Sequence, residues 1–366
     1  MLNNKTIAVV VPAYNEEKQI RMVLETMPDF VDRIIVVNDC SKDRTAAIVK
    51  DIIDNDSIRT TLISAVSHKI LKTKYNHADR VVIEKNIEEM NRFPPFEKYP
   101  EEDSMSRIVF IDLKKNSGVG GAIATGYKWS KDHSIDCTAV MAGDGQMDPA
   151  ELRKICLPVV NGEVDYVKGN RLIHRSALFV IPKVRYFGNS VLSILTKIAS
   201  GYWHVSDTQT GYTAISLSAL NAIRLHKIYR RYGMPNDMLV KLNIAFCTLK
   251  EVEIKPVYNI GEKSKMRVFT VIPKISWLLF KSFFKRLWRK YLFRDFHPLF
   301  LLYNMSFLLL VLNIPFAYKI IEAYFTKGVI MDSPMLFGFM FLGITSFQSL
   351  LFAMWMDIQD NERLYK

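Results

Sequence analysis

With 366 residues, 49% of them apolar and 23% charged, the chain has enough apolar material for one large core or two ordinary ones, which excludes a disordered, collagen-like or disulfide-stapled protein. Of the twelve net positive charges, ten come from residues 263–294, where there is no Asp or Glu; the rest carries only +2, and the body is not read as binding nucleic acid. Cys40, Cys137, Cys156 and Cys247 stand singly, without metal-ligand spacing or a pairing pattern, as reduced cytosolic thiols do.

Residues 6–11 read as a continuous apolar strand that stops at Pro12, after which Ile20, Val23, Leu24 and Met27 recur at helical spacing until Pro28. Residues 33–37 repeat the pattern, ending in Asn38, Asp39, Cys40 and Ser41 before a helix that carries Ala46, Ala47, Ile48, Val49 and Ile52. Two strand–loop–helix units in succession predict a parallel sheet with right-handed crossovers, its first two loops side by side on one edge. There Tyr14 can stack on a base while Glu16 and Asp39 accept hydrogen bonds from a ribose or base; Asn15 and Ser41 or Asp43 can also cap helices, and both uses can hold together.

Residues 54–106 break the pattern. They are polar and charged, with a helix expected near 82–90 and Pro94, Pro95 and Pro100 as breakers, and read as a solvated insertion at about 55–105. His68 and His77 share no helical face and are not read as a metal site. The sheet resumes at 107–112 and is followed by Asn116, Ser117, Gly118, Gly120 and Gly121. Glycines here let a helix start close against the sheet and leave backbone N–H groups for a phosphate or sugar hydroxyl. They come too late in the chain to be the dinucleotide fingerprint.

A short buried strand from 138 ends in Asp144, Gln146, Asp148 and Pro149. Asp144 and Gln146 lie two residues apart, so in extended backbone both point the same way. A carboxylate and a carbonyl oxygen suit a hard divalent cation that keeps waters and phosphate oxygens as its other ligands, and a plain Asp-Gly turn is the structural alternative. Residues 149–160 read as a helix and 164–167 as a strand leading to Arg171, an arginine at the same edge that can clamp a diphosphate bidentately. An irregular stretch, 174–203, holds Lys183, Arg185 and an apolar helix near 191–198. A helix opened by residues 230–237 runs to about 245, and 252–256 is the last strand.

Residues 298–318 and 333–356 contain no Asp, Glu, Lys or Arg and are apolar all round. Each is long enough for the roughly 20-residue crossing of a bilayer, so two transmembrane helices are expected, at 298–357. The basic stretch before them, 263–297, is interleaved with Trp277, Phe283, Trp288 and Tyr291 and reads as amphipathic helices on anionic lipid. Basic residues stay on the cytoplasmic side, which puts residues 1–297 and the tail 358–366 inside and the 319–332 loop mostly outside. The first residues do not read as a signal peptide, so attachment to the cell membrane is expected at the carboxyl end.

With these stretches in place the chain resembles the family-2 glycosyltransferases, and within them the membrane-anchored polyprenyl-phosphate (dolichyl-phosphate) glycosyltransferases. The resemblance runs from Thr6 to about Arg267 apart from the insertion. Five motifs carry it, in the family's order: Val-Pro-Ala-Tyr-Asn-Glu-Glu (11–17), Asn-Asp-Cys-Ser-Lys-Asp-Arg-Thr (38–45), Asn-Ser-Gly-Val-Gly-Gly-Ala (116–122), Ala-Gly-Asp-Gly-Gln-Met-Asp-Pro (142–149) and Gly-Asn-Arg (169–171). It implies an α/β, GT-A nucleotide-sugar-binding domain with a mostly parallel sheet over 1–262, and Mg2+ or Mn2+ on the donor diphosphate. The implied reaction is inverting transfer of a sugar from a UDP- or GDP-sugar to a membrane polyprenyl phosphate.

Carried over by position, Pro12, Tyr14, Glu16, Asp39, Asn116, Gly118 and Asp144 bind the nucleotide sugar, and Asp144 and Gln146 hold the metal. Arg171, Arg185 and Lys265 meet the acceptor phosphate, with a surface or lipid-headgroup contact as the alternative for the last two. Asp144, Arg171 and Asp237 are the catalytic candidates; Asp237 is given a positional role, because a lipid phosphate is already ionised and needs no base. Ala142 departs from the family, which usually has the first acid of its Asp-x-Asp motif there. A processive polysaccharide synthase is set aside, since neither a Gln-x-x-Arg-Trp signature nor a multi-helix channel is present. Another lipid or polysaccharide acceptor, or a non-catalytic membrane scaffold, is the rival reading, and a homo-oligomer packed through the transmembrane helices is the expected kind of self-association.

Overall fold

The computed structural model describes residues 1–55, 72–100, 106–258, 268–325 and 333–366. In chain order its elements are β1 (Ile7–Ala13), α1 (Ile20–Glu25), β2 (Arg33–Asn38), α2 (Thr45–Asn55), α3 (His77–Met90), β3 (Phe96–Tyr99), β4 (Ile108–Leu113), α4 (Val119–Asp132), β5 (Cys137–Val140), α5 (Leu152–Val160), β6 (Tyr166–Asn170), α6 (Ala177–Val180), α7 (Lys183–Ser200), β7 (Thr213–Ser216), α8 (Leu217–Ala222), α9 (Met234–Ile244), β8 (Leu249–Glu253), α10 (Val268–Trp288), α11 (Pro298–Phe325) and α12 (Ser333–Glu362).

The strands form one sheet in the order β3-β4-β2-β1-β5-β7-β6-β8. β4, β2, β1 and β5 run parallel, as the two strand–loop–helix units predict, while β7 runs antiparallel between β5 and β6. Successive side chains of a strand face opposite ways. Val9 and Val11 therefore join a core with α1, α2 and α5, whereas Ala8 and Val10 join a second core with α4, α8 and α9. Burial on both faces is why these strands read as unbroken apolar runs. α4 lies so close to the sheet that a Cβ on Gly126 would sit 2.4 Å from a methyl of Val10.

Four expectations need correction. β1 runs through Pro12 to Ala13 instead of stopping at the proline; Pro12 lies past Val140, the last β5 residue paired with it, so no ladder bond is lost on that side. The insertion is not merely a solvated excursion: β3 pairs antiparallel with β4 as an edge strand, and Glu89 of α3 is buried beside His226 (2.7 Å) and Lys131 (3.6 Å). His68 lies outside the described residues. β6 and β8 are offset from the expected 164–167 and 252–256, because Lys168, Lys250 and Glu251 fall inside them and mask the apolar pattern. α7 spans 18 residues, well beyond the expected 191–198.

α7, α10, α11 and α12 share a third core around Leu192, Leu279, Phe283, Leu287, Tyr303 and Ala353. α10 passes into a π-helical turn, Arg289–Arg294. α11 and α12 are each long and apolar enough to cross a membrane, and they are two candidate membrane-spanning helices. Ser306 and Ser346 join them, each hydroxyl donating to the other's carbonyl at 2.9 Å. α12 runs on to Glu362 and returns to the α/β domain, where the Leu249 N–H donates to the Leu364 carbonyl (2.7 Å) and the Lys366 N–H to the Leu249 carbonyl (2.9 Å). Residues 358–366 are thus docked beside β8 and are not a free tail. Nor do all the basic residues of α10 and the π turn face lipid: Arg286 and Lys290 are 0% and 1% exposed and pair with Asp357 and Asp360.

Candidate functional site

The carboxyl ends of β1, β2 and β5 and the start of α4 open onto a cleft of about 920 Å³. The structure brings Pro12, Tyr14, Glu16, Asp39, Asn116, Gly118, Asp144, Gln146 and Arg171 together on its walls. β1 is the point where the chain crosses from β2 on one side to β5 on the other, and in open α/β sheets ligands lie at such a switch. The loops after β1 and β2 are laced to each other: the Asn15 N–H donates to Ser41 Oγ (2.9 Å), the Glu16 N–H to Thr45 Oγ1 (2.9 Å) and the Lys42 N–H to Asn15 Oδ1 (2.8 Å). Asn15 and Ser41 therefore tie loops together and do not cap helices. Asp43 does accept from the Thr45 N–H at the start of α2 (3.0 Å).

Asp39 is first of all a strut. Its Oδ1 accepts from the Ser117 N–H (2.6 Å) and hydroxyl (3.1 Å), its Oδ2 from the Gly118 N–H (2.8 Å), and Asn116 Nδ2 donates to its carbonyl (3.1 Å). Burial raises its carboxyl above the usual range, and these bonds oppose the rise. A carboxylate accepts about four hydrogen bonds, so capacity for a ligand donor remains. Two of the glycine N–H groups are not open to a phosphate as expected: that of Gly118 goes to Asp39 and that of Gly120 to the Arg230 carbonyl (2.9 Å). Gly118 has a φ of +77°, and a Cβ there would lie 2.3 Å from the Arg230 carbonyl oxygen, so no other residue fits.

Past β5, Asp144 Oδ1 accepts from the Gln146 N–H (3.0 Å), so the turn and the ligand readings use the same carboxylate. Ala142 offers only its backbone N–H, which faces Met147 Sδ at 3.2 Å. Among the described residues no three His, Cys, Asp or Glu gather as a metal cage. Gly145, between Asp144 and Gln146, has a φ of +75°, so a turn and not extended backbone sets the two. A carboxylate and an amide oxygen on one turn are still a donor set for Mg2+ or Mn2+ that arrives with a diphosphate and keeps phosphate and water oxygens as ligands. The residues present fit such an ion.

Arg171 reaches the cleft from the end of β6, but it is not a lone cation. Its Nε and Nη2 donate to the two oxygens of Asp207 (2.8 and 3.0 Å); Asp207 is fully buried and Arg171 22% exposed. Beneath the pair, Glu251 accepts from the N–H groups of Ser206 and Asp207 (3.0 Å each) and from Asn170 Nδ2 (2.9 Å), and Lys168 Nζ donates to the Thr210 carbonyl (2.5 Å). Burial pushes Lys168 down to about 8 against the pull of Asp207 and Glu251. Burial would raise Asp207, but the charge and hydrogen bonds of Arg171 hold it below the usual carboxylate range.

Asp237 does not line the cleft: it accepts from the Tyr229 N–H (2.8 Å) and pairs with Lys241. Arg185 sits in the first turn of α7, its side chain outside the description, and Lys265 lies outside the described residues. Residues not foreseen complete the cleft: Gln209, Arg231, Tyr232 and Tyr258, with Leu192 of α7 and Val271, Ile272 and Ile275 of α10 at an apolar end. They come from the loop before β7 (Gln209), the turn before α9 (Arg231, Tyr232), the stretch after β8 (Tyr258) and the helices near the apolar pair, and no spacing announced them.

The profile of glycosyl transferase family 2 matches residues 8–67 and 95–224. The UDP-N-acetylglucosamine–dolichyl-phosphate N-acetylglucosaminyltransferase of Methanococcus voltae is 29% identical over 262 residues, 70% of this chain and 87% of that one. A dolichyl-phosphate β-glucosyltransferase of Trichomonas vaginalis is 23% identical over 300 residues (77% and 74%). An undecaprenyl-phosphate mannosyltransferase of Micrococcus luteus is 28% identical over 150 residues (41% and 60%). The resemblance read from the five motifs is thereby confirmed: the fold is GT-A-like, and the chain belongs to glycosyl transferase family 2.

Proposed function

We propose that the protein transfers a sugar, with inversion, from a UDP- or GDP-sugar to a polyprenyl phosphate in the membrane. One observation carries this reading: a single cleft runs from the strand-end motifs to the apolar side chains of α7 and α10, which share a core with the two candidate spanning helices. A nucleotide sugar suits the first end and a lipid chain the second. The relatives named above act, by their names, on dolichyl or undecaprenyl phosphate. The start of α11, at Leu299 and Phe300, and the end of α12, at Asp357, both pack near the α/β domain. That supports a membrane hairpin with the catalytic domain on the cytoplasmic side.

An acceptor phosphate is ionised at neutral pH. Its oxygen attacks the anomeric carbon from the side opposite the nucleotide, the bond to the diphosphate breaks, and no general base is called for. What the reaction needs is positive charge where two anions meet. Arg171 provides it with an orientation fixed by Asp207, and its guanidinium keeps donors beyond the two spent on that partner. Asp144 and Gln146 would hold the Mg2+ or Mn2+, which supplies charge for the departing diphosphate. The test is to incubate the purified full chain with a panel of nucleotide sugars and polyprenyl phosphates and to look for a lipid-linked sugar by mass spectrometry; no product from any pair would defeat the reading.

A further inference from the structure

We propose that Arg231 binds a phosphate oxyanion in the cleft, and that Asp237 is the positioning residue that presents it. The identity of the phosphate, on a nucleoside diphosphate or on a lipid, rests on the transferase reading above; the site itself does not. The turn that carries Arg231 is fixed at successive residues. The Tyr229 N–H donates to Asp237 (2.8 Å), the Arg230 carbonyl accepts from the Gly120 N–H (2.9 Å), and the Arg231 carbonyl accepts from the Met234 N–H (2.9 Å). This turn also lies against both the start of α4 and α10. A Cβ on Gly118, beside the Asp39 strut, would lie 3.7 Å from Arg231 Cγ, and a Cβ on Gly233 would lie 2.9 Å from Leu278 of α10.

Charge sets this arginine apart from the other. Arg171 is matched by Asp207, whereas Arg231 is exposed and makes no ion pair among the described residues. The acid nearest in sequence does not neutralise it, because Asp237 spends its carboxylate on Lys241 and on the Tyr229 N–H. Arg231 and Tyr232 both line the cleft. A guanidinium without a carboxylate, carried by a pinned turn on the wall of a cleft that would take two phosphate-bearing substrates, is suited to forked donation to a phosphate.

The test measures binding of UDP, GDP and farnesyl phosphate to the full chain by calorimetry. Arg231→Gln should weaken at least one of them by roughly tenfold, Arg231→Lys by less, with no change in melting temperature. Loss for UDP or GDP alone assigns the oxyanion to the donor, and loss for farnesyl phosphate alone assigns it to the acceptor. Unchanged affinity for all three overturns the proposal. Asp237→Asn should weaken the same ligand in the wild-type background and add nothing to Arg231→Gln, whereas equal losses in both backgrounds would reduce Asp237 to a structural residue. Should Asp237→Asn fail to fold, the exposed Arg231 still decides the site. A wild-type chain that binds these probes but forms no lipid-linked sugar would defeat the transferase reading and leave this test standing.

Discussion

Arg171 with Asp207 and Arg286 with Asp357 are the same device in two places. Each is a forked pair, at 2.8 and 3.0 Å in the first and 2.7 Å twice in the second. Each has a second acid close by, Glu251 or Asp360, and a buried lysine, Lys168 or Lys290, that burial pushes down to about 8. They differ in where they open. Arg171 keeps 22% of its side chain exposed on the cleft, whereas Arg286 has none and donates its remaining bonds to the Ile198 and Ala199 carbonyls at the end of α7 and to the Tyr291 hydroxyl. The first pair leaves a charge facing the cleft, where the proposed reaction would use it; the second fastens α7, α10 and α12 to one another. What a buried ion pair does is decided by its open side, and the pairing chemistry alone does not distinguish the two.

The sharpest test of that contrast is to show that turnover is decided in the cleft. Asp144→Asn should lower metal-dependent transfer by on the order of a thousandfold or more, with melting unchanged; retained activity would mean that the metal has been misplaced. Next comes the closed pair. Asp357→Ala strands a buried guanidinium and should destabilise the protein by about 3–5 kcal/mol, read as a lower melting temperature in detergent. A variant that is fully stable yet inactive would instead make the second pair part of the site.

The two lysines allow the pairs to be compared by pH. Each has a folded-state value of about 8, below its ordinary value, because burial disfavours the charged form. Between about pH 8 and 10.5 the unfolded chain therefore binds more protons than the folded one, and stability rises with pH across that window. The gain is complete above the unfolded value and is lost as pH falls to about 8. Lys168→Met and Lys290→Met should each remove part of that slope, a few kcal/mol at most. A slope untouched by both would show that the lysines are already hydrated. Smaller again is Asp207→Asn. Arg171 can turn to water, so the stability loss should be about 1–2 kcal/mol, while transfer falls roughly ten- to a hundredfold as the guanidinium loses its orientation. An unchanged rate would mean that Arg171 does not need its partner.

The strand-end residues of the cleft were legible because topology does the gathering: parallel strands bring their carboxyl-end loops to one edge whatever lies between them. Partnership was only partly legible. Asp237 pairs with Lys241 four residues on, a spacing a helix makes readable, but Asp207 and Asp357 stand 36 and 71 residues from the arginines they hold, and nothing in a local window marks them as counter-ions. The glycines of 116–121 were read as packing close against the sheet, but they pack against the 229–234 turn and Ser117, and the N–H groups of Gly118 and Gly120 are claimed by Asp39 and Arg230. Likewise the charged residues of β8 hide a strand that Glu251 needs in order to reach Ser206 and Asp207.

The basic stripe of α10 shows the same limit, and it supplies the smallest effect. Ten cations between 263 and 294 suggest a single lipid-facing surface, yet among the described residues those from Lys281 to Lys290 fall on separate helical lines. Lys281, Lys285 and Arg289 recur every four residues along one line, exposed at both ends and half-buried at Lys285, while Arg286 and Lys290 follow another that is wholly buried. Of these two lines, only the first is available to anionic headgroups. Replacing Lys281 and Arg289 by Gln should weaken binding to phosphatidylserine-containing liposomes by about 1 kcal/mol per residue, roughly fivefold each, and the loss should vanish at high salt. Arg286→Gln, by contrast, should act through melting temperature, because its charge has no bilayer to meet. If it weakened liposome binding as much as the exposed pair while the fold stayed intact, the buried arginine would have to reach the membrane, and the division between a pair that opens and a pair that closes would fail.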